Sequence, residues 1–430
     1  MIKTVLFATV YYPPFAPGGA EWTNARWAAA LARRGRRVVV VTPNYGAAPH
    51  EEVQGVAVRR VPFPRHLAPG SGEVSWLAHH NLIFDRYFGW QIARVAQHEG
   101  VDLIHAQDEG TLIAAWRAGR ARRLPLVVTI RDVGLLCPLG MCTLFEPWAT
   151  FDCTKRQYVD KCVPFFMEHY AAGPRGLRAV ALRARLRLGW RDQSHRHRAL
   201  REVDGVIGVS GGILSIFPQR LAPAGRRRVV HATAPTGPPP DDAAAASVRS
   251  ALGVPSGPLV LYAGKRSLGK GTTVLLDALG SIRATVPGVR FAFAGKGELA
   301  LPLASDIHDL RELSQSTLFS LYRAADVIVA PALWPEPFSR VILEAMWAGR
   351  PVVASAAGGI PEQIEDGVSG VLVPKGDPAA LANAVSGLLR DPARRARMGV
   401  AAAARAATFS EERAVTALLD AYEAFTTGAT

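Results

Sequence analysis

The stretch from Val327 to Gly349 constrains the fold more than any other part of this chain. It opens on an apolar run, Val327-Ile328-Val329-Ala330, which reads as a buried strand. The loop Trp334-Pro335-Glu336-Pro337-Phe338 follows, and its two prolines hold it extended by fixing their own φ and biasing the residue before each away from helix. A helix is then predicted from near Ser339 to Gly349, the glycine standing where a helix commonly ends. Glu344 falls inside that helix among Val341, Ile342, Leu343, Ala345, Met346 and Trp347. Apolar residues on nearly every face mean a buried helix, and a buried carboxylate needs a partner. A capping box fails on spacing, because with Ser339 as N-cap the box position is Ile342. Two readings stay open: an ion pair with a distant arginine, or a carboxylate that receives hydroxyls from a ligand. In the second, free N–H groups at Ser339 to Val341 receive an anion such as phosphate, and Glu336 faces the same site from the carboxyl end of the strand.

The rest of the chain repeats strand and helix. Lys3 to Val10, Val38 to Val41, Val53 to Val61, Val101 to Ala106, Pro125 to Ile130 and Gly205 to Ser210 read as strands, and Ala25 to Arg34 and Ser75 to His98 as helices. From His231 to Pro258 the sequence becomes rich in proline and alanine and reads as a linker. Beyond it, Pro258 to Ala263, Val289 to Ala294, Pro351 to Ser355 and Gly370 to Val373 read as strands, with helices at Thr272 to Leu279, Pro378 to Leu389 and residues 410–425. A chain of 430 residues is long enough for two domains. We place them at 1–235 and 258–405, with 406–430 as a closing helix.

Three glycine-marked turns follow strands, and the first two suit phosphate groups. Gly18-Gly19 lies between the first strand and helix, Gly264-Lys265-Arg266-Ser267-Leu268-Gly269-Lys270-Gly271 follows the strand ending at Ala263, and Gly295-Lys296-Gly297-Glu298 follows Ala294. Glycine lets backbone approach a ligand closely, and lysines beside it match a diphosphate. The second turn is not a Walker loop, because the G-x4-G-K-S/T order is absent.

The two glutamates, with seven residues between them in the setting P-x-x-W-P-E-P-F-x-x-V-x-L-E-A-M-x-x-G, resemble the E-x7-E signature of retaining GT-B glycosyltransferases, and glycosyltransferase family 4 most closely. The resemblance implies an α/β GT-B fold, two doubly wound Rossmann-like domains facing a central cleft, with the 406–430 helix crossing back to the first. It implies transfer of a sugar from a UDP- or GDP-sugar to a hydroxyl acceptor, lipid-linked or not, in glycan, glycolipid or cell-surface polysaccharide biosynthesis. Glu344 would hold the ribose and Glu336 the sugar hydroxyls, with Phe338, Ser339, Arg340 and Val341 around the donor. The turn Gly264 to Gly271 is similar to the family's G-R-x4-K-G, so Lys270 matches its lysine; Lys265, or Arg266 beside it, takes the arginine's place. Two lysines on the diphosphate make a divalent metal unnecessary. Gly295 and Gly297 match a turn near the base, and Gly19 the second glycine of P-x-x-G-G-x-E. There are two departures: Ser339 stands for a glycine, and Arg131 for the histidine of T-x-H-D, next to Asp132. Arginine stays protonated and is no general base; it steadies a negative group or pairs with Asp132. Glu336, Lys270, Lys265, Asp132 and Arg131 are the catalytic candidates. The alternatives are a GT-B-like nucleotide-sugar isomerase or hydrolase, glycosylation of a small-molecule natural product, and a catalytically silent binding protein.

A formal charge of +14 raises the question of nucleic acid, but no stacking platform or recognition motif accompanies it, and none is expected as partner. An anionic membrane or a phosphate-bearing substrate fits the sign equally well. The start reads as a strand rather than a signal peptide, so the expected compartment is the cytoplasm or the inner face of its membrane. Nine arginines between 173 and 201 (Arg175, Arg178, Arg183, Arg185, Arg187, Arg191, Arg196, Arg198 and Arg201), interleaved with leucines and Trp190, suit either a solvated helical face or a helix lying on anionic lipid. Cys137, Cys142, Cys153 and Cys162 cluster without C-x2-C knuckles, which leaves structural zinc, packing thiols and disulfides open.

Overall fold

Strands that are apolar along their whole length are stable only when covered on both faces, and both halves of the chain meet that need with parallel sheets between helices. The computed structural model describes residues 2–16, 18–68, 79, 81–140, 153–169, 176–219, 221, 223–254, 257–297 and 299–427. The chain divides into two compact units, Met1–Ala232 with Glu411–Thr430, and Thr233–Ser410.

The first unit holds β1 (Thr4–Ala8), β2 (Arg37–Pro43), β3 (His50–Val53), β4 (Val56–Val61), β5 (Leu103–Ala106), β6 (Leu126–Ile130), β7 (Gly205–Gly208) and β8 (Arg227–Val229) in the order β3-β4-β2-β1-β5-β6-β7-β8. All neighbours are parallel except β3 and β4. Those two replace the single strand expected at Val53 to Val61. Gln54 and Gly55 both take positive φ, 53° and 76°, and turn the chain back in two residues. The helix Gly19–Arg33 starts earlier than Ala25, because Glu21 Oε2 accepts from the Gly18 N–H at 3.0 Å. Asn81 caps the helix Leu82–His98; the expected helical residues Ser75, Trp76 and Leu77 lie outside the described residues. The final helix, Glu411–Thr426, lies on this sheet: the Tyr422 hydroxyl is 2.7 Å from His105 Nδ1, and Phe425 covers Gly205 so closely that a Cβ there would be 2.0 Å from the ring. Residues 406 and 407 close the preceding helix, Pro392–Ala407.

The second unit holds β9 (Leu259–Ala263), β10 (Arg290–Ala294), β11 (Ile307–Arg311), β12 (Val327–Ala330), β13 (Val352–Ser355) and β14 (Val371–Val373), all parallel, in the order β11-β10-β9-β12-β13-β14. The alanine run read as linker is a helix, Asp242–Ala251, whose N-cap Asp241 accepts from Ala244 N–H at 2.8 Å. Alanine is the strongest helix former, and a capped alanine helix overrides the prolines before it. Asp242 holds it by an ion pair to Arg323 at 2.8 Å. In each unit the chain leaves a central strand in both directions, β1 toward β2 and β5, β9 toward β10 and β12. The carboxyl ends at those switch points are where such sheets bind ligands. Among the described residues, no helix is long and apolar enough to cross a membrane.

Candidate functional site

At the carboxyl ends of β9 and β12 a cavity of about 370 Å³, its open mouth included, is lined by Gly264, Lys270, Glu336, Ser339, Val341 and neighbouring apolar residues. The loops behind these strands are stitched by backbone: the N–H groups of Leu333 and Trp334 both donate to Gly269 O, at 2.9 and 3.1 Å. Gly271 makes the close approach possible. Its φ is +69°, and a Cβ there would sit 1.7 Å from Pro331 O. Lys270 thereby reaches Glu336. Its Nζ donates to Glu336 Oε2 at 2.7 Å, the same oxygen accepts from Trp334 Nε1 at 2.6 Å, and the ammonium stands 4.6 Å from the centre of the Trp334 ring. Glu336 is only 8% exposed, and these two contacts supply the partners a buried carboxyl needs. Trp334 is a site residue the sequence reading quoted but gave no role.

The helix Arg340–Trp347 starts at Ser339, whose hydroxyl accepts from Ile342 N–H at 3.4 Å. Three free N–H groups were expected at Ser339 to Val341, and the structure corrects this. Ser339 N–H donates to Gln363 Oε1 at 2.8 Å, which leaves Arg340 and Val341 to receive an anion. Glu344 is buried, and its partner is not a distant arginine but Arg340 one turn back, Nη2 to Oε1 at 2.6 Å. Arg340 is thus engaged inside its own helix. Tyr322 is buried beside Glu344, and burial first, then that charge, pushes its phenol up.

The other donor candidates divide. Lys265 is exposed at the turn after β9. Arg266 pairs with Asp309 of β11 at 2.8 Å and bridges along its backbone to Gly297. A guanidinium already matched by a carboxylate offers little net charge to a diphosphate. Gly295 ends β10 at φ +131°; Glu298 lies outside the described residues. Phe338 is buried edge-to-face on Phe409, centroids 5.3 Å apart.

In the first unit Gly19 opens its helix, and Thr23 Oγ1 donates back to Gly19 O at 2.9 Å. At the switch point of this unit, Asp108 accepts from Val10 N–H at 2.8 Å, Thr111 N–H at 2.9 Å and the Thr9 hydroxyl at 3.1 Å. Arg131 lies beside it; the Asp132 charge favours its cationic form, while its hydrogen bonds go elsewhere. Its Nη2 donates to Asn24 Oδ1 at 2.5 Å and Gln107 Oε1 at 3.2 Å, and its guanidinium lies 4.7 Å from the Trp27 ring centre. Burial lowers its pKa to about 10, so it is still a cation at neutral pH. Asp132 Oδ1 accepts from Gly134 N–H at 2.7 Å. Burial pushes Asp132 and Glu109 above the usual carboxylate range, and Asp132 itself raises Glu109 further. Glu109, Asp108 and Gln107 escaped the sequence reading, although three polar residues directly after the strand ending at Ala106 were a visible signal.

Cys137 and Cys162 pack with Tyr158, Met167 and Leu186 in one apolar cluster. Cys137, Cys153 and Cys162 form no disulfide with one another, Cys142 lies outside the described residues, and among the described residues no group of three His, Cys, Asp or Glu could hold a metal. The basic segment is the helix Leu177–Glu202. Arg196 is not on its solvated face: it is buried, donates to Gly134 O at 3.3 Å, and burial lowers its pKa to about 10. Arg175 lies outside the described residues.

Residues 18–233 match the family described as glycosyl transferase 4-like domain, and residues 257–391 that described as glycosyl transferases group 1. The chain belongs to the glycosyl transferase 4-like family. This glycosyl transferase 4-like chain is 38% identical over 199 residues to a D-inositol 3-phosphate glycosyltransferase of Xylanimonas cellulosilytica, covering 44% of this chain and 48% of that one. A namesake from Mycobacterium avium is 38% identical over 192 residues, 41% of this chain and 44% of that one. The matches span about half the length of these curated relatives. Among solved structures, sucrose-phosphate synthase of Thermosynechococcus elongatus superposes with TM-score 0.69 at 20% identity, over 99% of this chain and 100% of that one. Anabaena HepE in complex with UDP-glucose gives 0.65 at 21%, over 98% and 99%. At such identities the likeness shows the GT-B fold alone.

Proposed function

We propose that this glycosyl transferase 4-like chain moves a sugar from a nucleoside-diphosphate sugar to a hydroxyl acceptor with retention at the anomeric carbon. The observation that carries the reading is the Lys270–Glu336–Trp334 group at the switch point of the second unit, beside a helix start with N–H groups left at Arg340 and Val341. Lys270 and those N–H groups take the diphosphate, Lys270 offsetting charge as the leaving group departs. Glu336, fixed by two donors, receives the hydroxyls of the sugar. Glu344, steadied by Arg340, takes the ribose. The family resemblance supports retention, with the acceptor proton passing to a donor phosphate oxygen on the face the leaving group vacates; Arg131, which stays protonated, is no general base. HepE was solved with UDP-glucose, which makes a UDP-sugar the first donor to try.

A lipid-linked acceptor is favoured by one surface. The helix Leu177–Glu202 exposes Leu177 by 87%, Val180 by 64% and Leu188 by 57%, interleaved with the exposed Arg178, Arg183, Arg187 and Arg191. Apolar side chains set among arginines suit the headgroup boundary of anionic lipid. A thermal-shift screen of UDP- and GDP-sugars tests the donor reading: a rise in melting temperature with one of them supports it, and no rise with any overturns it.

A further inference from the structure

The short helix Ile360–Gln363 ends on an amide with 0% exposure, and that amide pairs with main chain rather than with another side chain. Gln363 Oε1 accepts from Ser339 N–H and Gln363 Nε2 donates to Ser339 O, both at 2.8 Å. The pair closes a ring of two hydrogen bonds on the residue that starts the phosphate-facing helix. The same segment grips the loop again three residues earlier: Gly359 N–H donates to Glu336 O at 2.7 Å. Gly358, at φ +58°, lies so close that a Cβ would meet Glu336 O at 2.3 Å. From behind, Arg405 donates to Gln363 O at 3.2 Å and Glu362 O at 2.6 Å and lies 5.1 Å from the centre of Phe409, which packs on Phe338. The loop from Glu336 to Ser339 is therefore held at its carboxylate end, its aromatic and its helix start.

We infer that Gln363 is a positioning residue for the anion-binding helix start, setting through the Ser339 backbone which N–H groups face the phosphate and where Glu336 meets Lys270. The inference rests on the proposed donor site. An amide carries a donor and an acceptor side by side at any pH, which the N–H and C=O of one residue need from a common partner. Because Ser339 N–H is consumed, the N–H groups of Arg340 and Val341 are the ones offered, and the pairing uses only main-chain atoms of residue 339. Buried peptide groups left unpaired are costly, so loss of the amide frees the loop to move toward other partners.

Calorimetric titration of the full chain with UDP and with GDP tests this. Failure of the parent protein to bind either overturns the donor reading and leaves Gln363 without a role at a donor site. If the parent binds, Gln363→Leu should weaken binding by about tenfold or more, the scale of two lost hydrogen bonds in a buried setting. Gln363→Glu keeps the acceptor but sets an oxygen against Ser339 O. It should bind about tenfold more weakly than parent near pH 8 and recover to within about threefold near pH 6, where a buried carboxyl regains its proton and the missing donor. The charged groups around it are Arg405 on its own carbonyl, Glu362 next to it in the chain, and Glu336 across the loop. Both variants within about threefold of parent near pH 8 would overturn the inference. So would an equal deficit for Gln363→Glu at both pH values, which a purely structural role predicts, or failure of both variants to fold.

Discussion

Removing the Lys270 ammonium should do more harm than removing it together with its partner. The Nζ lies 2.7 Å from Glu336 Oε2, a gross attraction of about 6 kcal/mol at an effective dielectric of about 20. The lysine side chain is 30% exposed and the glutamate 11%, so lost hydration cancels most of it and leaves about 1–2 kcal/mol. Lys270→Ala leaves Glu336 a carboxylate beside the proposed diphosphate. Turnover should fall about 100-fold from the lost charge stabilisation, and UDP or GDP binding should weaken further through repulsion. In Lys270→Ala/Glu336→Gln the repulsion is gone. Binding should recover by about tenfold over the single variant, the equivalent of about 1.4 kcal/mol, while turnover stays low because the lysine charge is still missing and a neutral amide is a weaker hydroxyl acceptor than the carboxylate. Calorimetry and donor-turnover assays on both proteins decide it. A double variant that binds no better than Lys270→Ala, or a turnover loss below about threefold in the single, would refute the placement of both groups at the diphosphate.

Gly271→Ala should abolish donor binding and lower the melting temperature, because φ +69° and a contact at 1.7 Å admit no Cβ; near-parent binding in a folded variant would contradict the turn geometry. Asp85 is pushed up to about 7, by burial first and then Asp192, against Arg117. An acid with a raised folded pKa keeps its proton in the fold between about pH 4 and 7 while the unfolded chain has lost it, so stability falls as pH rises through that window. Asp85→Asn should therefore raise the melting temperature by a few degrees near pH 8 and by less near pH 5, read by thermal denaturation; an equal shift at both would contradict the sign. Sedimentation with vesicles should recover the chain with anionic lipid at low salt and not with neutral lipid, and equal recovery would remove the membrane reading.

The glutamate loop was legible because each of its residues has a local cause. The apolar run made β12, the prolines held the loop open, and Ser339 and Gly349 marked the helix ends. What could not be read was which groups cancel one another. Arg266 with Asp309 and Ser339 with Gln363 are contacts made across the sheet, 43 and 24 residues apart along the chain, with no local periodicity to announce them. The pairing of Arg340 with Glu344 was within reach, since positions four apart share a helix face. β11 was missed for a different reason. Three of its five residues, Ile307–Arg311, are polar or charged because it is an edge strand and needs no second apolar face. In the first unit the substitution of Arg131 for histidine stood out at once, but its satisfaction by Asn24, Gln107 and the Trp27 face depends on the order in which β1, β5 and β6 meet.

The central claim is sugar transfer with retention at a site built on Lys270 and Glu336, and the configuration of the first-formed product tests it most directly. With an α-linked nucleoside-diphosphate sugar as donor, NMR of the anomeric proton follows the bond as it forms. The account predicts an α-linked product, made at a rate that falls sharply in Lys270→Ala. A β-linked product would contradict the mechanism, because inversion requires a general base in place of the donor phosphate oxygen.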